Sequence, residues 1–137
     1  MLPESVRPFD HGIEPAPEPV LVPADPAARR RLRARCMIVR QITAELLALA
    51  RGSGQVRRDR RRLVCHMRQI SIYVCHVVLR VPQQDLGFAF GLHPATVRHA
   101  CHVVEDRRDD PDFDDFVSTV ERLTSTVFLL PGGLLHD

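Results

Sequence analysis

The sequence predicts an all-α protein, a small helical domain preceded by a disordered proline-rich arm. From residue 27 to residue 130, apolar side chains recur mostly at spacings of three and four, as on the buried faces of successive helices. Residues 1–26 instead hold seven of the eleven prolines and few bulky apolar residues, so we expect disorder there. Residues 131–137 form a short tail, and a length of 137 residues suits one domain.

Charge is segregated along the chain, although the net charge is only +2. Residues 1–26 carry one arginine against five acids, and residues 105–137 carry three arginines against nine acids. Between them, residues 27–104 carry fifteen arginines against three acids, a net charge of +12. Such concentrated positive charge is typical of proteins that bind the phosphate backbone of nucleic acid. The alternative, a solvated helix face, usually mixes both signs.

The first predicted helix begins after Asp25, whose carboxylate can cap it, and Pro26 suits its first position because it lacks an N–H. Gly52 and Gly54 end it. Opposite its apolar stripe lies an arginine-rich side, which we interpret as solvated, with phosphate contact as the second interpretation. The stripe consists of Leu32, Cys36, Val39, Ile42, Leu46 and Leu49.

The next segment, QVRRDRRRL at residues 55–63, is predicted to be a polar link whose charge density favours phosphate contact. Residues 65–80 are ambiguous. Their β-branched side chains have the propensity of a strand, whereas their length and the spacing of Ile70, Val74 and Val77 fit a buried helix. Periodicity alone leaves both alternatives open.

Two helices joined by a tight turn are predicted next. A short apolar segment, residues 82–91, ends at Gly91, and Leu92 completes the turn. An amphipathic helix with Pro94 near its start follows over residues 93–108. Its inward residues are Val97, Ala100, Cys101 and Val104.

The last predicted helix covers residues 112–129, and acids near its N-terminus suit the helix dipole. Caps and surface charge explain the paired acids at 109–110 and 114–115 better than general acid–base chemistry does. No nucleophile stands in a recognisable catalytic setting, so we do not expect an enzyme. The inward residues of this helix are Phe113, Phe116, Val120 and Leu123.

The sequence does not predict a metal site or a cofactor. Cys-His pairs occur three times, but adjacent helical residues point about 100° apart, so one pair does not easily chelate an ion. His99 and His102 could pair, yet no third ligand lies nearby. The four cysteines stand at least ten positions apart, which favours reduced thiols and a cytoplasmic location. We expect neither a membrane span nor a secretory leader.

A short helix, a turn and an amphipathic helix make up the helix-turn-helix pattern, in which the second helix reads base edges in the major groove. The segment from Arg68 to about Arg108 resembles the C-terminal DNA-binding domain (domain IV) of DnaA, the bacterial chromosomal replication initiator. The resemblance extends over about residues 27–125 and implies a helix for residues 66–80. The motifs that carry it are RQISIY at 68–73, LGFAFG at 86–91, TVRHAC at 96–101 and VEDRRDDPDFD at 104–114.

The resemblance implies several contacts with DNA outside the recognition helix. Arg60 falls where the family places an arginine in the minor groove, and Arg68 matches a position near the DNA backbone. His76 stands where the family often has a basic phosphate contact. Gln83 and Gln84 match positions at the start of the bracing helix that approach phosphates.

The recognition helix departs from the family. The family signature reads Gly-x-Arg-Asp-His-Thr-Thr-Val, whereas this chain has GLHPATV, one residue shorter. Thr96 matches the second threonine of the signature. Leu92, His93, Pro94 and Ala95 stand where Arg, Asp, His and Thr are expected. Because one good bidentate base contact contributes about 1–3 kcal/mol of discrimination, we expect poor reading of the usual family site.

Arg98 and His99 can supply new base contacts from the same helix. We therefore expect binding to double-stranded DNA with altered or relaxed sequence preference, with residues 93–103 in the major groove and Arg60 in the minor groove. The protein would act as a transcriptional or replication-linked regulator in the cytoplasm, associated with the nucleoid. It has no GxxxxGK[ST] phosphate loop. The alternative is a protein-interaction adaptor that has lost specific DNA contact and binds a partner through its acidic arm or C-terminal helix.

Overall fold

The chain is described by a computed structural model over residues 25–51 and 60–129, and within these ranges it is helical and has no strand. The all-α prediction is therefore confirmed. The predicted disordered arm, apart from its last two residues, and the predicted tail lie outside the described residues. The helices are α1 (Pro26–Arg51), α2 (Arg60–Val77), α3 (Gln83–Phe90), α4 (Pro94–Arg107) and α5 (Pro111–Leu129).

Helix α1 begins as the sequence predicts. The Ala27 amide donates to Oδ1 of Asp25 at 3.3 Å, and the Arg29 amide donates to the Asp25 carbonyl at 3.0 Å. Leu49 is 77% exposed, so its predicted inward position is wrong. The apolar periodicity of α1 continues beyond the part of this helix that packs against other helices. The stripe that packs on the rest of the molecule consists of Leu32, Cys36, Val39, Ile42, Thr43 and Leu46.

Helix α2 is the centre of the core and packs against the other four helices. Residues 70–75 are all buried, so this helix is covered on every side over that stretch. The helix expected for residues 66–80 is confirmed as far as Val77, and the strand alternative is wrong, because packing on several helices outweighs β-branched propensity.

The start of α2 corrects a second expectation. Arg60 begins the helix, whereas the sequence was expected to form a polar link as far as residue 63. No proline or glycine interrupts residues 60–77, and arginine is a good helix former, so the helix extends six residues before the predicted start.

Helix α5 covers one side of α1 and α2. Leu123 is 40% exposed, so its predicted burial is wrong, and Phe113 and Phe116 are only partly buried. Val120 is buried as predicted, but its buried neighbours on the stripe, Val117 and Thr124, each lie one position beyond a predicted residue, and apolar spacing does not reveal the threonine. The buried members of this stripe are Val117, Val120, Thr124 and Phe128. No helix in the described ranges is long and apolar enough to cross a membrane.

Candidate nucleic-acid interface

The connection between α3 and α4 is a tight three-residue turn. Gly91 has φ 69° and ψ 37°, a left-handed conformation that glycine adopts without steric cost. The Gly91 amide donates to the Phe88 carbonyl at 3.3 Å, and the Leu92 amide donates to the Gly87 carbonyl at 2.8 Å. These two bonds form a Schellman motif, which ends α3 and turns the chain into α4.

Gly87 lets the turn lie close against α3. A Cβ atom at this position would stand 2.7 Å from the Leu92 carbonyl oxygen and 3.6 Å from the Pro94 nitrogen. The first distance is shorter than van der Waals contact allows, and the clashing atom belongs to the backbone. Only glycine therefore permits this approach, so Gly87 helps to set the position of α4 relative to α3.

His93 and Pro94 define the first turn of α4. The Ala95 amide donates to Nδ1 of His93 at 2.9 Å, so the histidine is the N-cap. In the neutral ring the proton then lies on Nε2, which is left as the only donor. Pro94 occupies the first helical position, where its missing N–H has no consequence. Both residues thus have local structural roles in addition to the DNA contacts that the resemblance implies.

The start of α4 presents a continuous exposed face. Ala95, Thr96, Arg98 and His99 are exposed, whereas Val97 and Ala100 on the opposite side are buried. Arg98 forms no ion pair with any described residue. The predicted recognition residues therefore lie together on the first two turns of one helix.

Two predicted contact residues lie on α2, apart from this face. His76 is half-buried, and its Nδ1–H donates to the Val81 carbonyl at 2.9 Å, which ties the end of α2 to the connection before α3. Its Nε2 is an acceptor in the neutral ring, so only the charged imidazolium can donate to a phosphate. Arg68 is half-buried, and no hydrogen bond or ion pair within the described ranges joins it to α4.

Gln83 and Gln84 occupy the first two positions of α3, as expected. Both side chains are half-buried. Burial raises the pKa of the Cys101 thiol, and a hydrogen bond from the Gln83 side chain opposes this shift, so Gln83 contacts α4. The structure thus brings Gln83 and the start of α3 next to the recognition helix. The side chain of Arg60 lies outside the described residues.

Two arginines at the end of α4 bind other side chains of the protein. Arg108 donates to Asp114 at 2.6 Å and to Glu121 at 2.8 Å, and it also contacts Tyr73. The hydrogen bonds to these acids raise the pKa of Arg108. Arg107 lies over the Phe113 ring at 4.2 Å, with a further hydrogen bond to His66. Neither guanidinium belongs to the exposed basic surface.

Charge changes sign along α4. Arg98 and His99 stand on the exposed face of its first half, whereas Glu105 and Asp106 are exposed near its end. Further acids follow at the start of α5. The positive part of the surface therefore lies at the beginning of α4, the end that the helix-turn-helix pattern directs toward DNA.

A group of arginines that the sequence did not connect lies near the start of α3. Arg31 and Arg35 of α1 and Arg80 of the α2–α3 connection line a surface hollow of about 280 Å³. Asp85 of α3 also lines it. The two α1 arginines lie 45 or more positions before Arg80 in the sequence, so only packing brings the three together. No spacing in the sequence signals this cluster.

In the described part of the chain, no three His, Cys, Asp or Glu side chains come close enough to hold a metal ion. Cys36 and Cys75 are buried in the core. Comparison with known protein families, with characterised proteins and with solved structures finds no match for this chain. The resemblance to the DnaA domain therefore stays a prediction from sequence.

Proposed function

We propose that this protein binds double-stranded DNA through the helix-turn-helix formed by α3 and α4. Helix α4 enters the major groove with its first two turns, and Arg60 at the start of α2 reaches the minor groove. The protein regulates transcription or replication by occupying its site, in the cytoplasm at the nucleoid, and performs no catalysis.

The observation that carries this proposal is the exposed face of α4 at Ala95, Thr96, Arg98 and His99. A Schellman turn and a close glycine contact hold this face in a fixed position, and its arginine has no ion-pair partner among the described residues. A rigid helix that presents a free guanidinium next to small side chains suits entry into a groove. Arg98 can bond O6 and N7 of guanine, and the Thr96 methyl can contact thymine.

The same geometry argues for relaxed specificity. Nδ1 of His93 is occupied by the Ala95 amide, and Pro94 and Ala95 offer no side-chain hydrogen bonds. Three successive positions at the start of α4 therefore present one free donor, Nε2–H of His93. Phosphate contacts then supply most of the affinity, and few base pairs are discriminated.

The proposal is tested by measuring affinity for a pool of random duplexes across a salt series. We expect wild-type protein to bind at about 0.15 M salt with a clear negative slope of log K against log salt. Arg60→Ala should weaken binding to all sequences alike, and Arg98→Gln should relax the preference found by sequence selection. Arg122→Gln on α5 is the matched control, because that arginine is exposed and its guanidinium bonds only Thr119 among the described residues.

The second candidate is a protein-interaction adaptor. The scarcity of polar base-reading groups at the start of α4 favours it. On that hypothesis the basic surface binds an acidic protein partner. The acidic arm or α5 provides a further contact with a partner. Undetectable binding to duplex DNA at moderate salt, or binding with no salt slope, would contradict the DNA proposal and favour the adaptor.

A further inference from the structure

The hollow beside the start of α3 is built from three separate parts of the chain. Helix α1 supplies Arg31 and Arg35, which stand one turn apart, and the α2–α3 connection supplies Arg80. Leu79, Val81 and Pro82 are among its other lining residues. Because Pro82 is the N-cap of α3, the hollow is continuous with the start of the bracing helix.

The hollow is strongly positive. None of its three arginines forms an ion pair with Asp85 or with another described residue. Asp85 is half-buried, its Oδ1 atom is buried without a hydrogen-bond partner in the described ranges, and desolvation raises the pKa of its carboxyl group. Three guanidiniums against one carboxylate leave an excess of positive charge for an anion to neutralise.

The backbone at Arg80 supports a binding role. Arg80 has φ 60°, the only positive φ at a residue other than glycine in the described part of the chain. Glycine normally occupies such a position after a helix, because a Cβ atom is unfavourable there. Arg80 lines the hollow in this conformation, and strained positions of this kind concentrate at functional sites.

We propose that this hollow is a second anion site, which binds a phosphate group through Arg31, Arg35 and Arg80. The source that the position favours is the DNA backbone. The start of α3, which lies next to the recognition helix through Gln83, follows directly after the hollow. A strand that passes the start of α3 would continue onto the hollow and α1. The inference rests on the proposed function and extends the DNA contact beyond the two helices of the motif.

Two double variants with equal charge change test the site. Arg31→Gln with Arg80→Gln removes two guanidiniums of the hollow, and Arg30→Gln with Arg122→Gln removes two exposed arginines that do not line it. Each neutralised phosphate contributes about 0.9 to the slope of log K against log salt, so the first variant, which removes this one phosphate contact, should lower the slope by about 1. The second should leave the slope close to that of wild type.

Asp85→Asn is expected to change the affinity for DNA in the opposite direction. Removing the negative charge of the hollow should tighten DNA binding a few-fold at low salt, because the carboxylate no longer repels the phosphate. Thermal unfolding of each variant shows that the fold is retained. Equal slopes for the two double variants, in protein that binds DNA, would overturn the second site and leave the proposed function intact.

A titration with inorganic phosphate separates the two sources of the anion. Amide NMR signals of Arg80 and its neighbours that shift only with DNA assign the hollow to the DNA backbone. A second outcome is a protein that does not bind DNA but whose signals shift with inorganic phosphate, with the shifts lost in Arg31→Gln with Arg80→Gln. This outcome would refute the proposed function and support a site for a free phosphate ligand. Absence of both responses overturns the anion site.

Discussion

Two threonines are fully buried, and their hydroxyl groups differ in what they bond. Thr43 donates to the Val39 carbonyl at 2.9 Å, whereas Oγ1 of Thr124 has no hydrogen-bond partner within the described ranges. A buried hydroxyl without a partner loses its hydrogen bonds to water and gains nothing in return.

We predict that Thr124→Val raises the free energy of unfolding by about 1 kcal/mol, because valine has nearly the same shape and no polar atom. Thr43→Val is the matched control and should be neutral or destabilising, since it removes a hydrogen bond that is made. Urea denaturation of both variants measures the difference. Equal effects of the two substitutions would contradict the prediction.

The cap of α4 gives a second prediction for a single residue. His93→Ala should lower the free energy of unfolding by about 1 kcal/mol, because the Ala95 amide loses its acceptor. His93→Asp restores an acceptor at the same place and should recover most of that loss. Urea denaturation gives the stabilities, and hydrogen exchange of the Ala95 amide reports on the cap itself. Identical stabilities of the Ala and Asp variants would show that the cap has little effect.

Single positions were the least predictable part of the fold. Leu49 and Leu123 continue an apolar periodicity beyond the surface that neighbouring helices cover, and the sequence does not say where those neighbours end. Thr43 and Thr124 are buried although polar, because they stand at the right angular position on their helices. A pattern of apolar residues therefore locates a face well and its edges poorly.

The α3–α4 unit requires glycine at two positions for different structural reasons, a close backbone contact at Gly87 and a left-handed conformation at Gly91. Gly87→Ala would place a Cβ atom 2.7 Å from the Leu92 carbonyl, which requires the backbone of the turn to move. We expect a loss of about 1–3 kcal/mol in stability and a shift of α4 relative to α3. Denaturation and the chemical shifts of α4 amides would measure both.

Gly91→Ala is the control for this prediction. A Cβ atom at this position has nothing within 4 Å, so only the left-handed backbone opposes alanine. The expected loss is about 1–2 kcal/mol, with α4 unmoved. If amide shifts in α4 were the same in both variants, the close contact at Gly87 would not be what positions the helix.

At the level of elements, the sequence predicted four of the five helices within a few residues. The Schellman turn and the start of α4 were signalled by Gly91 and Pro94, whose chemistry is local. Helix α2 needed the resemblance, because residues 70–75 are buried on all sides and leave this stretch without a polar face to reveal its period. The hollow around Arg80 could not be predicted, since tertiary packing alone brings α1 to the α2–α3 connection.

Arg108 joins distant parts of the whole molecule. Its guanidinium bonds Asp114, Ser118 and Glu121 around α5 and contacts the hydroxyl of Tyr73 in the core helix. Burial raises the pKa of Tyr73, and the hydrogen bond from Arg108 opposes that shift. The folded protein therefore holds the phenol proton to higher pH than the unfolded chain does.

The sign of the resulting pH dependence follows from linkage. The folded state binds more protons than the unfolded state above the ordinary tyrosine pKa of about 10, so stability is full below that pH and falls as pH rises through it. Tyr73 is the only tyrosine and the chain has no tryptophan, so tyrosinate absorbance reports this one group. We predict a higher titration midpoint in native protein than in urea; equal midpoints would contradict it.

The reversal of charge along α4 has a consequence for how the molecule meets a polyanion. A net charge of +2 would attract one only weakly, but Arg98 near the start of α4 and Asp106 near its end make the charge of this part of the molecule uneven. In the field of a polyanion such a body experiences a torque as well as an attraction. On the proposed function, this torque favours first collisions in which the beginning of α4 faces the DNA.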